Sequence, residues 1–306
     1  HLIAGRLFDG AVMHEPGHVV IAADRVVYAG GPVPSAGLPA TDLGDVLVAP
    51  GFVDMHCHGG GGAGFETGAA AAQAAAAAHQ ARGTTSLVAS LVSAPIDELA
   101  GQIATLRPLV ATGELAGIHL EGPWLSGKFA GAHDPRELRD PRPADVDALL
   151  DAADGALVMV TLAPERRGAI DAIRRLVDAG VVVAIGHTDA DYATTMAAID
   201  AGARVATHLF NAERPLHHRD PGPIPALLSR PEVTVELIAD GVHVHPAVMR
   251  MAVTLTPGRL ALITDAIAAA AAPPGRYHLG SRSVTSSGEQ AVIDGTTTLA
   301  GSVLTM

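Results

Sequence analysis

Val53-Asp54-Met55-His56-Cys57-His58-Gly59-Gly60 closes an apolar run that begins at Val46. Residues i and i+2 of a β-strand face the same side, so His56 and His58 can close on one cation while Cys57 points away. Histidine is the commonest side-chain metal ligand. A bare His-x-His also reads as two imidazoles in a polar loop, and the rest of the chain decides between these readings. Glu121, His187, His208 and Asp265 each end another apolar run. That repetition points to a metal-dependent hydrolase.

Working outward from this stretch, short apolar runs alternate with longer segments of helical character. The runs are Phe52–Met55, Thr84–Ala89, Leu115–Leu120, Ala156–Leu162, Val181–Ile185, Arg204–Thr207, Val233–Ala239 and Leu260–Thr264. Between them lie helix candidates at Ala69–Arg82, Pro95–Val110, Ala144–Ala153, Glu165–Ala179, Ala190–Ala201 and Pro246–Thr254. The near-continuous alanine of 69–78 is a strong helix former. Strands alternating with helices imply parallel βαβ units. Eight such units fit an α/β fold of the (β/α)8 TIM-barrel type; periodicity alone leaves a doubly wound open sheet as the alternative.

Before the barrel, Leu2–Ile3, Val19–Ala22, Val26–Ala29 and Val46–Val48 are short β-like pieces with Gly/Pro punctuation, which predicts a small antiparallel sheet. After Asp265 the pattern returns to hairpin strands at Arg276–Leu279, Ser283–Thr285, Ala291–Ile293 and Thr296–Leu299. The domain reading is therefore 1–50, 51–272 for the barrel, and 273–306.

With 306 residues the chain can bury a substantial core. Its formal charge of −12 argues against bulk affinity for nucleic acid or anionic membrane, while leaving room for an anionic small substrate. A single cysteine excludes an intramolecular disulfide and fits a reducing compartment. With no leader-like segment and no apolar run of membrane-spanning length, the expectation is a soluble cytoplasmic protein.

The polar candidates fall where barrel chemistry falls. His56/His58, Glu121, His187, His208 and Asp265 end the first, third, fifth, sixth and eighth proposed strands, and that end of a barrel carries the active site. Imidazole and carboxylate donors with little thiolate suit zinc, with iron, manganese or cobalt as substitutes. A bound cation lowers the pKa of its water from about 15.7 to about 7, which makes hydroxide available for about 12 kcal/mol less. Asp265 would take the proton from this water and pass it to the leaving nitrogen. Its alternative role is a helix N-cap before Ala266–Ala272.

Other signals are weaker. Gly59–Gly64 resembles a phosphate cradle but lacks the Lys and Ser/Thr of a P-loop, and a mobile loop is the preferred reading. His119 shares the inward face with Glu121 and reads as a histidine packed beneath the ligands. His79, His217 and His218 read as solvated, and Cys57 as a packed thiol behind the strand.

The ordered set HCHGG (56–60), HLEGPW (119–124), GAHDP (131–135), GHTDA (186–190), THLFNA (207–212), DGVHV (240–244), TDA (264–266) and LAGSVLTM (299–306) resembles the N-acetylglucosamine-6-phosphate deacetylases of the amidohydrolase superfamily. The resemblance runs from Ala49–Asp54 to the end of the chain. It implies a (β/α)8 barrel with a small β-sandwich built from the chain ends, residues 1–50 forming its N-terminal part. Its closing strands are expected beyond Met306. It implies an amide hydrolase that removes acetate from N-acetylglucosamine 6-phosphate, with one or two divalent cations per subunit.

By the same resemblance Glu121, His187 and His208 hold the main cation, His56 and His58 a second with Glu121 bridging, and Asp265 is the catalytic aspartate. Ala132, His133, Asn211, Ala212, Arg219, Asp240, Gly241, Val242, His243, Leu299, Ala300 and Gly301 match the sugar-phosphate contacts. The resemblance further implies a homodimer in which Arg219 and His243 reach the phosphate across the interface. Guanidinium pairs bidentately with phosphate, and His243 can serve the carbonyl oxygen or the phosphate. Glu213 stands where members usually carry Met, and Trp124 where Phe is usual. Competing readings are another amidohydrolase acting on a cyclic amide or aminopurine, which needs no phosphate grip, and a catalytically silent sugar-phosphate-binding protein. The second predicts loss of the ligands or of Asp265, and none is lost.

Overall fold

In the computed structural model, which describes residues 1–33 and 37–306, each of the eight apolar runs overlaps a strand. They are β1 (Phe52–Cys57), β2 (Thr84–Val92), β3 (Gly117–Glu121), β4 (Leu157–Leu162), β5 (Val182–Ile185), β6 (Val205–Ala206), β7 (Thr234–Ile238) and β8 (Leu260–Ile263). They neighbour one another in chain order without a crossover, and the registers from β2 to β8 are all parallel. An open doubly wound sheet would leave β1 and β8 at opposite edges. Instead the ring closes. Asp265 N–H donates to His56 O at 2.9 Å and His58 N–H to Ala266 O at 2.7 Å. Asp54 on β1 accepts the Thr264 hydroxyl at 2.5 Å and its N–H at 3.2 Å.

Parallel strands covered on both faces read as continuous apolar runs, and Val160, Leu162, Val183 and Val235 are fully buried. The covering helices are α1 (Ala69–Gln80), α2 (Ile96–Ala111), α3 (Pro143–Ala153), α4 (Ala169–Asp178), α5 (Tyr192–Asp200), α6 (Pro223–Ser229) and α7 (Pro246–Leu255). Asp191 caps α5 by accepting from Thr194 N–H at 2.7 Å. The short α6 was not expected. Its Pro223 and Pro225 look like breakers, yet both lie in the first turn, where a missing N–H costs nothing. On α2, Leu99, Ile103 and Leu106 recur at helical spacing and are wholly buried. Leu106→Ala is expected to cost about 2–5 kcal/mol of stability, checked by the denaturant midpoint.

Contacts divide the chain into His1–Phe52 and Val53–Met306. The first unit holds two small sheets. One has the strand order Arg25–Gly30, Gly17–Ala22, Leu2–Ala4, Thr41–Asp42; the other runs Met13–His14, Arg6–Phe8, Leu47–Val48. Both are mixed, not antiparallel as expected, because Thr41–Asp42 and Leu47–Val48 pair parallel to Leu2–Ala4 and Arg6–Phe8. Parallel pairing needs a long return excursion, which turn punctuation does not reveal.

In the second unit, Gly275–Leu279, Arg282–Ser286 and Ala291–Ile293 form an antiparallel sheet. Leu279, Val284 and Ile293 pack there with Val92, Ile267 and Ala269 of the barrel. Thr296–Leu299 is not a strand; it makes one isolated bridge, Val292 to Leu299.

Candidate active site and metal centre

At the C-terminal rim of the barrel, the sequence-selected ligands converge. His56 lies on β1 and Glu121 is the last residue of β3. His187, His208 and Asp265 each stand two residues beyond β5, β6 and β8, and each takes a positive φ, of 47°, 28° and 49°. Non-glycine residues adopt this region at a cost and persist there when the surroundings over-determine them, a common situation at functional sites. For Asp265 the surroundings are visible: beyond the bond to His56, its carbonyl accepts Ser302 N–H at 2.7 Å. Gly301 permits that approach, since a Cβ there would stand 2.6 Å from Asp265 O.

Glu121 is the hub. Its Oε1 lies 2.9 Å from His208 Nε2 and 3.1 Å from His187 Nε2. Its Oε2 lies 3.1 Å from both His58 Nε2 and His133 Nε2. The imidazole nitrogens themselves are close, 3.1 Å for His187–His208 and 3.2 Å for His56–His58. Asp265 Oδ1 stands 3.3 Å from His58 Nε2 and 3.5 Å from His56 Nε2. Asp265 caps no helix, because residues 268–271 form a turn.

Ring tautomers follow from partners that can only accept. His187 Nδ1 faces Phe129 O at 2.9 Å, His58 Nδ1 faces Ser90 O at 3.1 Å, and His56 Nδ1 faces Glu236 Oε2 at 3.1 Å. Each Nδ1 therefore carries a proton, and each Nε2 is the atom turned toward carboxylate oxygens and another nitrogen, where it can hold a cation or, without one, a second proton. Such contacts repel unless positive charge sits between them. Two nitrogens about 2.0–2.1 Å from one tetrahedral zinc stand about 3.3–3.4 Å apart, close to the separations here. The donor set fits a divalent cation. His133 differs: its Nδ1 accepts Ser93 N–H at 3.2 Å, so its Nε2–H donates to Glu121. It is a donor in this arrangement, not a ligand.

The electrostatics agree. Burial alone would push His56 down, but Glu121, Glu236 and Asp265 outweigh it and hold the ring well above its ordinary value. For His58, burial is likewise overcome by Asp265 and Glu121, and the ring rises to about 9. Burial raises Glu121, yet the imidazoles of His56, His187 and His133 hold it well below the usual carboxylate range. Asp265 settles at about 2, burial being offset by His56 and His58. A pocket that draws protons onto buried imidazoles is one that draws a cation. His133, by contrast, is pushed down to about 4 by burial and stays neutral.

Beneath the ligands His119 is buried as expected. Its Nδ1 meets Ser90 Oγ at 2.9 Å and its Nε2 Thr161 Oγ1 at 2.8 Å, and its ring stands edge-on to His56. Cys57 is the packed thiol anticipated, and His217 and His218 are exposed. His79 is not solvated: it is fully buried, with Nε2 3.0 Å from Gly59 O and 3.4 Å from Cys57 Sγ. Gly59–Gly64 is neither a cradle nor a loose loop. Gly59–Gly60 pairs with Ala63–Gly64, and Gly61 and Gly62 donate to Ala270 O and Ala268 O. Those N–H groups are already spent on carbonyls.

A cavity of about 390 Å³ opens over the centre, within the range of small-molecule sites. Of the expected substrate contacts, Ala132, His133, Asn211, Ala212, His243, Leu299 and Gly301 line it. Asp240 stands behind His243, whose Nδ1 it holds at 2.7 Å while accepting the Val242 and His243 N–H groups. Ala300 is buried, and Gly241 and Val242 are exposed.

His243 lines the cavity of its own chain. Arg219 lies on an exposed loop with its guanidinium 2.7 Å from His218 Nε2, outside the lining. Sequence reasoning missed Gly131, Leu279, Thr297 and Thr298 in the lining, and it missed Glu236. A glutamate alone inside the apolar run Val233–Ala239 was the available signal. Trp124 is buried and does not line the cavity. Glu213 is buried too, pushed up to about 8 by burial, and accepts Phe210 N–H at 2.6 Å.

The amidohydrolase family pattern matches residues 47–298. The N-acetylglucosamine-6-phosphate deacetylase of Vibrio furnissii is 38% identical over 272 residues, covering 87% of this chain and 68% of its own length. The N-acetylgalactosamine-6-phosphate deacetylase of Escherichia coli O157:H7 is 37% identical over 267 residues, covering 86% and 70%. A solved structure of N-acetyl-D-glucosamine-6-phosphate deacetylase from Mycobacterium smegmatis, a mutant in complex with N-acetyl-D-glucosamine-6-phosphate, is 49% identical. It superposes with a TM-score of 0.95 over 99% of this chain and 80% of that one.

Proposed function

The chain belongs to the amidohydrolase family and, within it, to the N-acetylglucosamine-6-phosphate deacetylases, and from that premise we infer how its own residues divide the reaction. The protein is a metal-dependent hydrolase that converts N-acetylglucosamine 6-phosphate to glucosamine 6-phosphate and acetate. The observation that carries the assignment of roles is the convergence of His56, His58, His187 and His208 on Glu121 and Asp265 at the mouth of a sugar-sized cavity. Glu121, His187 and His208 would hold one cation and His56 and His58 a second, with zinc the metal best suited to the donors. When bound, such a cation polarises the amide carbonyl and lowers the pKa of the water it holds.

The chain's residues do the rest. Asp265 accepts the proton of the attacking water and returns it to the leaving nitrogen. Glu121, kept ionised, holds the two ligand pairs together, and His133 fixes its Oε2. His243, oriented by Asp240, presents Nε2 to an oxygen of the substrate. Asn211 and Ala212 line the cavity beside it. The first unit, His1–Phe52, is read as part of a small β-sandwich. A homodimer and a cytoplasmic location complete the proposal; among the described residues no helix is long and apolar enough to cross a membrane.

Acetate release decides the reading. Protein loaded with zinc should cleave N-acetylglucosamine 6-phosphate and far more slowly N-acetylglucosamine, with N-acetylgalactosamine 6-phosphate and a cyclic amide as comparison substrates. Preference for the cyclic amide would overturn it.

In this proposal Arg219 grips the phosphate in the partner's cavity, since in its own chain it stands outside the lining. Charge-assisted bonds of about 1.5–3 kcal/mol each correspond to roughly 10- to 150-fold. Arg219→Ala should therefore narrow the preference for phosphorylated over plain sugar by that factor, chiefly through KM. Mixing Arg219→Ala chains with Asp265→Asn chains should restore activity, because one of the two sites regains both groups. No recovery despite demonstrated subunit exchange would place Arg219 outside the partner's site.

A further inference from the structure

Glu236 is a fully buried carboxylate on β7 with no part in the roles above. Its Oε2 makes two contacts at once. One is to His56 Nδ1 at 3.1 Å, the other to the backbone N–H of His208 at 3.2 Å. Its backbone carbonyl also accepts Leu209 N–H at 3.0 Å. Oε1 has no hydrogen-bond partner. A buried carboxylate with an unused oxygen is costly, so its retention calls for a compensating interaction.

The acceptor chemistry supplies one. The other rings with a protonated Nδ1, His58 and His187, rest on neutral carbonyls, those of Ser90 and Phe129. His56 rests on a carboxylate. A carboxylate only accepts, so it fixes the proton on Nδ1, leaves Nε2 bare toward Glu121, His58 and Asp265, and raises the basicity of the ring. The same oxygen steadies the backbone of His208, which belongs to the other ligand pair and sits at a φ of 28°. One atom thus ties both halves of the centre.

We propose that Glu236 is a positioning residue that sets cation occupancy at the His56/His58 position through its bond to His56 Nδ1. The inference rests on the two-cation reading above. A neutral amide at this place can donate to Nδ1, move the ring proton to Nε2 and remove the lone pair that a cation needs.

The test is a zinc titration of metal-stripped protein in competition with a chromophoric chelator, run on the wild type, Glu236→Gln, His56→Ala and the double variant. The amide is nearly isosteric, and circular dichroism of each variant checks its folding. The wild type should take two zinc ions per chain. Glu236→Gln should keep the tighter one and bind the weaker one about 10- to 100-fold less well, the usual cost of losing such a partner. In the His56→Ala background the same substitution should change zinc affinity by no more than about threefold, because the ring it orients is gone.

Unchanged binding of both ions by Glu236→Gln overturns the proposal. So does an equal weakening of both ions, or an undiminished effect in the His56→Ala background, since either marks a general structural role. A wild type that takes one ion and is indifferent to His56→Ala overturns the two-cation reading and the role of Glu236 with it. Two ions with no acetate release would instead strike the assigned reaction and leave Glu236 standing. Should Glu236→Gln not fold, Glu236→Met, apolar and of similar length, goes through the same titration with the same expected and overturning results.

Discussion

Asp265→Asn is expected to preserve the fold and the bound cations while lowering turnover by about 10²–10⁴-fold. At about 1.36 kcal/mol per decade that is roughly 3–5 kcal/mol of barrier. The substitution suits the site. Asparagine tolerates a left-handed backbone better than most residues, so the φ of 49° at this position is kept. The backbone bonds to His56 and Ser302 that close the barrel rim do not involve the side chain. What the amide lacks is a proton acceptor that can later act as donor. The measurement is kcat on N-acetylglucosamine 6-phosphate, with metal content determined on the same sample so that cation loss is not mistaken for loss of proton transfer. Near-normal turnover would remove Asp265 from the proton path.

The barrel was legible because its signal is repeated. β6 has only two residues, yet the run around it was found because seven neighbours set the rhythm. The ring closure was not legible: it rests on bonds between residues about two hundred positions apart, such as Asp54 to Thr264. The residues that cluster around Glu121 were legible for a related reason, since each ends an apolar run. Their geometry was not, since nothing in the local sequence signals the positive φ that His187, His208 and Asp265 adopt.

His79 shows a misreading with an available remedy. It was read as solvated, but Ala72, Ala75 and His79 fall three and four residues apart and form the buried face of α1. Glu236 shows the opposite case, where its presence was plain and its meaning depended on contacts with His56 and His208 that no spacing discloses. Arg219 was picked out by resemblance alone, and in this chain it lies exposed beside His218.

His187→Ala and His208→Ala are expected to lose cation and activity together. Each ring touches Glu121 Oε1, at 3.1 and 2.9 Å, and each contributes a nitrogen that no neighbour replaces. Loss of a partner one bond removed from a metal typically costs 10–100-fold in affinity, so loss of a ligand should exceed about 100-fold. Removal also leaves Glu121 a buried charge with fewer partners, and breaking a buried pair costs about 3–5 kcal/mol when nothing substitutes. The remaining imidazoles around Glu121 should soften that penalty, so the variants should fold with lowered midpoints.

His56→Ala should behave differently and retain the cation at His187 and His208 with partial activity. Metal per chain after dialysis, read with kcat for all three variants, orders the positions. The hierarchy predicts the two deeper losses at His187 and His208. Equal loss at all three would mean that the bridge through both oxygens of Glu121 makes the two positions one cooperative centre, in which neither half persists without the other.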